Sequence, residues 1–264
     1  SFSVCANDRA KREVALLIKS IRQFSHSPVF VSCDYETANF LQYLDLGNVE
    51  IKIALDPDRL AQKERLVRHI TDQNDFHSKA IIYSKMDCIE WALLEAGNTF
   101  FCDADIVFLK PVDDEIDESM ELMLSPHFHV EDRVNQNRTY GAFNAGYLWT
   151  KSMDFPEAWR EIYTTRSEFY EQAGMRHLWE SFDIKTFGKD HNLGFWRFPK
   201  VWNRGRLNIE DPNIDWGEVK SVHFHAFPET YSHADKGLKK GYDLLKEHIF
   251  PHLPEELRSF ADAI

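Results

Sequence analysis

Two aspartates separated by a single residue, Asp103 and Asp105, carry the strongest chemical signal in the chain. They follow the apolar run Thr99–Cys102 and precede a second apolar run, Ile106–Leu109. In a strand, residues i and i+2 project to the same side. Two carboxylates that close repel each other unless a cation sits between them, and hard divalent cations favour oxygen ligands. The formal net charge of −12 strengthens the point. A chain this acidic has to find positive charge for any anionic ligand locally, and a bound divalent cation is the simplest source. The same charge argues against a nucleic-acid partner, which would require a basic surface.

The elements that must position this pair alternate between strand and helix. Phe2–Ala6, Pro28–Cys33, Val49–Leu55 and Thr99–Cys102 are predicted strands. Arg9–Phe24, with Val14, Leu17, Ile18 and Ile21 on one face, and Thr37–Leu46, ending at Gly47, are predicted helices. Lys79–Glu95 is the clearest helix: Ile82, Met86, Ile89 and Leu93 recur on one face, and Gly97 can close it in a left-handed cap. Such alternation predicts an α/β fold with a mainly parallel central sheet flanked by helices, in which ligands bind beyond the carboxyl ends of the strands. Asn7, Asp34 and Asp103 stand at those ends. In the second half, Gly141–Thr150 and Val219–Phe224 are predicted strands, Pro156–Phe182 is predicted to be largely helical, and a helical tail runs from Lys239.

The stretch SKMDCIEWALLEAGNTFFCDADIVFLKPV resembles the core of GT-A nucleotide-diphospho-sugar glycosyltransferases, of the glycogenin-like kind. GAFNAGYLWT is similar to the Asn-bearing strand of those enzymes, and VHFHAF to their C-terminal histidine strand. The resemblance implies a single Rossmann-like GT-A domain over residues 1–264. It further implies transfer of a sugar from a nucleotide-sugar donor, a UDP-sugar being favoured, to a carbohydrate or glycoconjugate acceptor. Asp103 and Asp105 would hold the metal. His223 or His225 would complete its coordination; the strand register favours His223, with the other ring turned into the packing. Lys85 matches the basic residue that reaches the diphosphate or sugar. Asn7, Asp103, Ala104 and Asn144 would line the donor, and Asp190 stands where an acidic residue approaches the donor sugar. One motif departs: the Lys-Pro-Trp that follows the metal histidine in glycogenin-like enzymes is missing, so Lys236, Lys239 or Lys240 would take the place of its lysine, with Lys236 the first of them.

Two other readings compete. The run Asp103–Val107 also matches the nucleophile motif of haloacid-dehalogenase phosphatases, but that motif belongs on a first strand, and three predicted strands precede it here. A non-catalytic carbohydrate-binding module would retain the abundant aromatics, 14% of the chain, yet has no need of the paired aspartates. The polar segment His127–Tyr140 is long for a loop, which predicts an acceptor-side element using Arg133 or Arg138. The four cysteines lie far apart in apolar stretches and are expected as free, buried thiols. No apolar run reaches the ~18 residues of a membrane span. A cytoplasmic protein is therefore expected, with a removed anchor or signal allowed by a chain that starts at Ser1.

Overall fold

In this computed structural model the described residues are 1–55, 76–129, 141–166, 171–198, 200–203, 206–209, 214–227 and 236–264. Strand β1 (Phe2–Ala6) lies between β2 (Val29–Cys33) and β4 (Thr99–Asp103), and β3 (Val49–Ile53) pairs outside β2; all three pairings are parallel. β7 (Phe143–Thr150) runs antiparallel to both β4 and β6 (Leu122–Pro126), and β8 (Ile184–Thr186) closes the sheet parallel to β6. The resulting order is β3-β2-β1-β4-β7-β6-β8. A smaller sheet, β5-β12-β9, joins β5 (Ile106–Phe108), β12 (Ser221–His223) and β9 (Leu193–Gly194). β10 (Lys200–Asn203) and β11 (Arg206–Ile209) form a separate ribbon.

Consecutive residues of β4 feed opposite faces, as the two-residue period requires. Phe100 and Cys102 pack with Val4, Val31 and with Leu17 and Ile18 of α1 (Lys11–Arg22). Phe101 packs on the other side with Ile82, Met86 and Ile89 of α3 (Phe76–Ala96) and with Trp159 of α4 (Phe155–Arg166). A third cluster joins Val107 and Val222 to Leu245 of α5 (Lys236–Ile249) and Leu257 of α6 (Glu255–Ala263). The large sheet is thus covered on both faces, and the small one is seated on the C-terminal helices. The expected α/β architecture is present.

Several sequence expectations need correction. The second helix, α2, spans Tyr35–Leu44, and Asp34 is its N-cap: Thr37 N–H donates to Asp34 Oδ1 at 2.8 Å, and Asp8 N–H donates to Oδ2 at 2.6 Å. A carboxylate satisfied this way stabilises a helix end and is not spare for a ligand. The long helix expected at Pro156–Phe182 is shorter; α4 ends at Arg166, and Ala173–Glu180 is 3₁₀-helical, with Gly174 weakening any continuous α-helix there. Cys33, Cys88 and Cys102 are free and buried, whereas Cys5 is only partly so. No helix among the described residues is long and apolar enough to cross a membrane.

Candidate metal centre and active site

β4 delivers Asp103 at its last position, and the chain turns through Ala104 and Asp105 before β5 departs into the smaller sheet. The two aspartates therefore stand at the junction of the two sheets. β12 pairs antiparallel with β5 in the register His223↔Ile106, and Phe224 N–H donates to the Asp105 carbonyl at 2.9 Å. This pairing carries His223 back to the turn. One ligand atom each from Asp103, Asp105 and His223 lies within 4.8 Å of the others. Gly146 on β7 leaves room for the group: a Cβ there would run into the Asp103 carboxylate.

Donor types and protonation fit a hard divalent cation. Asn192 Oδ1 lies 3.0 Å from His223 Nδ1, so that nitrogen carries the hydrogen and Nε2 presents its lone pair, 3.0 Å from Asp105 Oδ1. Two acceptors facing at that separation require a proton or a cation between them. Without metal it is a proton. Burial disfavours the imidazolium of His223, but the Asp105 carboxylate outweighs it, and the pKa is raised. Burial likewise opposes the charge on Asp105, yet the imidazoles of His223 and His225 hold its pKa below the ordinary carboxylate range. His225 Nδ1 stands 3.2 Å from Asp105 Oδ2, so His225 does not turn away from the site as expected. The reason is the two-residue period, which sends positions 223 and 225 to the same side. Burial lowers the pKa of His225 and keeps it neutral beside its charged neighbour.

Lys85 projects from α3 and joins two carboxylates, 2.8 Å from Asp103 Oδ1 and 2.9 Å from Glu171 Oε1. Burial opposes the ammonium, and the two carboxylates more than offset it, so its pKa is raised. Glu171 was not foreseen; it comes from the turn just before the 3₁₀ segment, 86 residues along the chain, and no local pattern marks it. Ala104 is buried in the turn itself. Asn144 is buried on β7, and its Oδ1 accepts Gly146 N–H at 3.0 Å, which shapes the strand beside Asp103. Asn7 leads from β1 into the 3₁₀ turn Asp8–Ala10, where its carbonyl accepts Ala10 N–H at 2.9 Å. Lys236 opens α5, and its side chain lies outside the described residues, as do Arg133 and Arg138.

Asp190 is not part of the metal cluster. It lines a cleft of about 550 Å³ with Phe128, His129, Arg197, Asp215 and Glu218. None of the three candidate metal ligands lines that cleft. Trp196 packs beside the cluster, its ring edge-on to His223 at 5.1 Å and to His127 at 5.2 Å. Phe128 has a φ of +48°, a left-handed conformation that a bulky residue adopts only under constraint, and Arg197 covers one face of its ring at 5.5 Å.

No protein-family model matches the sequence, and no curated protein is similar to it. Solved structures are. The galactosyltransferase LgtC, in complex with donor and acceptor sugar analogues, shares 15% identity over 98% of this chain and 99% of its own, with a TM-score of 0.57. The glycosyltransferase GlyE of Streptococcus pneumoniae TIGR4 shares 10% identity over 99% of this chain and 62% of its own, with a TM-score of 0.54. Mouse xyloside xylosyltransferase 1 shares 10% over 85% and 97%, with a TM-score of 0.51. At such identities the likeness is one of fold: the chain has the GT-A fold of these glycosyltransferases. A haloacid-dehalogenase phosphatase has no footing in it, because the aspartates leave the fourth strand and sit between two sheets.

Proposed function

We propose that this protein is a metal-dependent glycosyltransferase that moves a sugar from a nucleoside-diphosphate donor, a UDP-sugar by preference, to a hydroxyl of a carbohydrate or glycoconjugate acceptor. One observation carries the reading: the Asp103/Asp105 pair and His223, more than a hundred residues further along, converge within 4.8 Å at the strand ends of a GT-A sheet. That LgtC is a galactosyltransferase seen with donor and acceptor sugar analogues supports it further.

Asp103, Asp105 and His223 would hold the cation, Mn²⁺ or Mg²⁺. A cation held by them would supply Lewis-acid stabilisation for charge developing on the leaving nucleoside diphosphate. Lys85, 2.8 Å from Asp103 Oδ1, aims that carboxylate and would add a fixed positive charge where phosphate oxygens would lie. Asn7, Ala104, Asn144 and Lys236 are the further residues assigned to the donor. Asp190, on the wall of the cleft, would face the sugar and the acceptor hydroxyl; the cleft has the size of a small-ligand site and offers the Phe128 ring with carboxylates for sugar hydroxyls.

Calorimetric titration of UDP with and without Mn²⁺, followed by assay of UDP-sugar hydrolysis and transfer, tests the reading. Mn²⁺-dependent binding with turnover is expected. Binding without turnover would leave a carbohydrate-binding relative, and no metal-dependent nucleotide binding would overturn the proposal.

A further inference from the structure

Asn192 sits where three strands meet, immediately before β9, and is 1% exposed. Its φ of +52° lies in the left-handed region, which asparagine tolerates and most residues do not. Its backbone N–H donates to Ser221 Oγ at 2.8 Å, at the first residue of β12. Its side-chain Nδ2 donates to Ser125 Oγ at 3.0 Å, on β6, where the register with β7 shifts between Leu124 and Ser125. With Nδ2 donating to Ser125, the amide oxygen is the end that faces His223, 3.0 Å from Nδ1. Trp196 also packs edge-on against the imidazole at 5.1 Å, and its ring lies so close to Gly194 that a Cβ at that position would enter it.

We infer that Asn192 is a positioning residue for the metal centre, setting the tautomer and ring plane of His223. The inference rests on the reading of Asp103, Asp105 and His223 as a divalent-cation site. An amide oxygen can only accept, so His223 must keep its hydrogen on Nδ1, leaving the Nε2 lone pair directed at Asp105 and at any cation beside it. Without that acceptor the neutral ring is free to carry its hydrogen on Nε2, which points a proton at the cation. Outer partners of this kind change metal affinity by about 10–100-fold. The unusual backbone is part of the device: with residue 192 turned left-handed, its N–H and its amide reach Ser221, Ser125 and His223 together. Asn192 touches neither metal nor substrate in this scheme and acts through His223 alone.

The backbone conformation supplies a clean test. Asn192→Gly keeps the left-handed turn at no steric strain and removes the acceptor. Asn192→Asp also tolerates the turn and retains an acceptor facing Nδ1, with the Ser125 hydroxyl free to donate to it. Mn²⁺ binding to the full chain without nucleotide, followed by electron paramagnetic resonance, gives the affinity. Ring-nitrogen NMR of His223 with Mg²⁺ bound gives the tautomer. We expect Asn192→Gly to bind Mn²⁺ about 10–100-fold more weakly and to lose the Nδ1–H signature, and Asn192→Asp to stay within about threefold of wild type. Should Asn192→Gly fail to fold, Ser125→Ala, which unhooks the amide at its other end, is expected to weaken binding by roughly threefold or more. Wild-type affinity in Asn192→Gly, or in Ser125→Ala where that variant stands in, overturns the role of Asn192, as does an Asp variant as weak as the Gly variant. Absence of Mn²⁺ binding in the wild type overturns the metal reading beneath it.

Discussion

Gly146→Ala probes how tightly Asp103 is held. Position 146 is an interior residue of β7 and has no left-handed φ, so alanine would ordinarily favour the strand by about 0.5–1 kcal/mol over glycine. Asp103 reverses that sign. The new Cβ would stand 2.9 Å from Asp103 Cβ, about 0.5 Å inside the 3.4 Å at which ordinary contact begins, and closer still to the carboxylate. Asp103 has little room to yield, because Lys85 grips Oδ1 at 2.8 Å and β4 is paired on both edges. Relief must come from rotating the carboxylate out of the cluster or from parting β4 and β7. Overpacking of this kind costs about 1–3 kcal/mol. A displaced Asp103 should also lower Mn²⁺ affinity by about tenfold or more. The assay is a double-mutant cycle, with denaturant unfolding and Mn²⁺ titration of Gly146→Ala in the wild-type and Asp103→Ala backgrounds. Removing the carboxylate should cut the stability penalty to below about 1 kcal/mol, giving a clear coupling between the two sites. An equal penalty in both backgrounds, or wild-type Mn²⁺ affinity in Gly146→Ala, would refute the reasoning.

Asp105→Ala should leave the fold intact and weaken Mn²⁺-dependent UDP binding by more than about 100-fold, since outer partners alone are worth 10–100-fold; unchanged calorimetric affinity removes Asp105 from the ligand set. Lys85→Met leaves the Asp103 and Glu171 carboxylates without their shared cation and should cost about 3–5 kcal/mol in denaturant unfolding. Adding Glu171→Gln should recover part of that loss, and no recovery would mean that the two carboxylates are not coupled through Lys85. Metal affinity should fall with pH: His223 must be neutral to coordinate, its pKa in the metal-free protein is raised above 6.5 by Asp105, and below that raised value each pH unit should lower Mn²⁺ affinity by about tenfold. Titrations between about pH 5 and 8 check this, and a flat profile excludes His223 as a ligand.

Much of the site's framework is legible because it is local. The apolar run ending in Asp103, the helix carrying Lys85 and the paired histidines each have a period or a spacing that survives in the sequence. What escaped has no local signature. Glu171 reaches Lys85 across 86 positions, and Asn192 reaches His223 across 31; only the assembled sheets bring them together. Asp34 shows a different limit. An aspartate at a strand's carboxyl end and an aspartate capping the next helix occupy the same place in the sequence, and only the Thr37 N–H donating to it separates the two. His225 erred through geometry: alternation along a strand was taken to send the two rings apart, when two residues is the full period.

The carboxylate of Glu13 on α1, 1% exposed, accepts Ala226 N–H at 3.0 and 3.2 Å and Phe227 N–H at 3.1 Å, tying the first helix to the chain just beyond the metal histidine. During synthesis, that knot is tied late. Asp103 and Asp105 leave the ribosome more than a hundred residues before His223 and its neighbours. At elongation rates of about 5–20 residues per second, roughly 6 to 24 s separate the two halves of the site. Through that interval β5 lacks β12, Glu13 lacks the Ala226 and Phe227 amides, and Asp105 lacks His223 and His225. A nascent chain can build the central strands β1–β4 in their parallel order while holding no competent cation site. The strand that carries His223 is made after the sheet it completes, so the proposed cation site would form only once β12 has paired with β5.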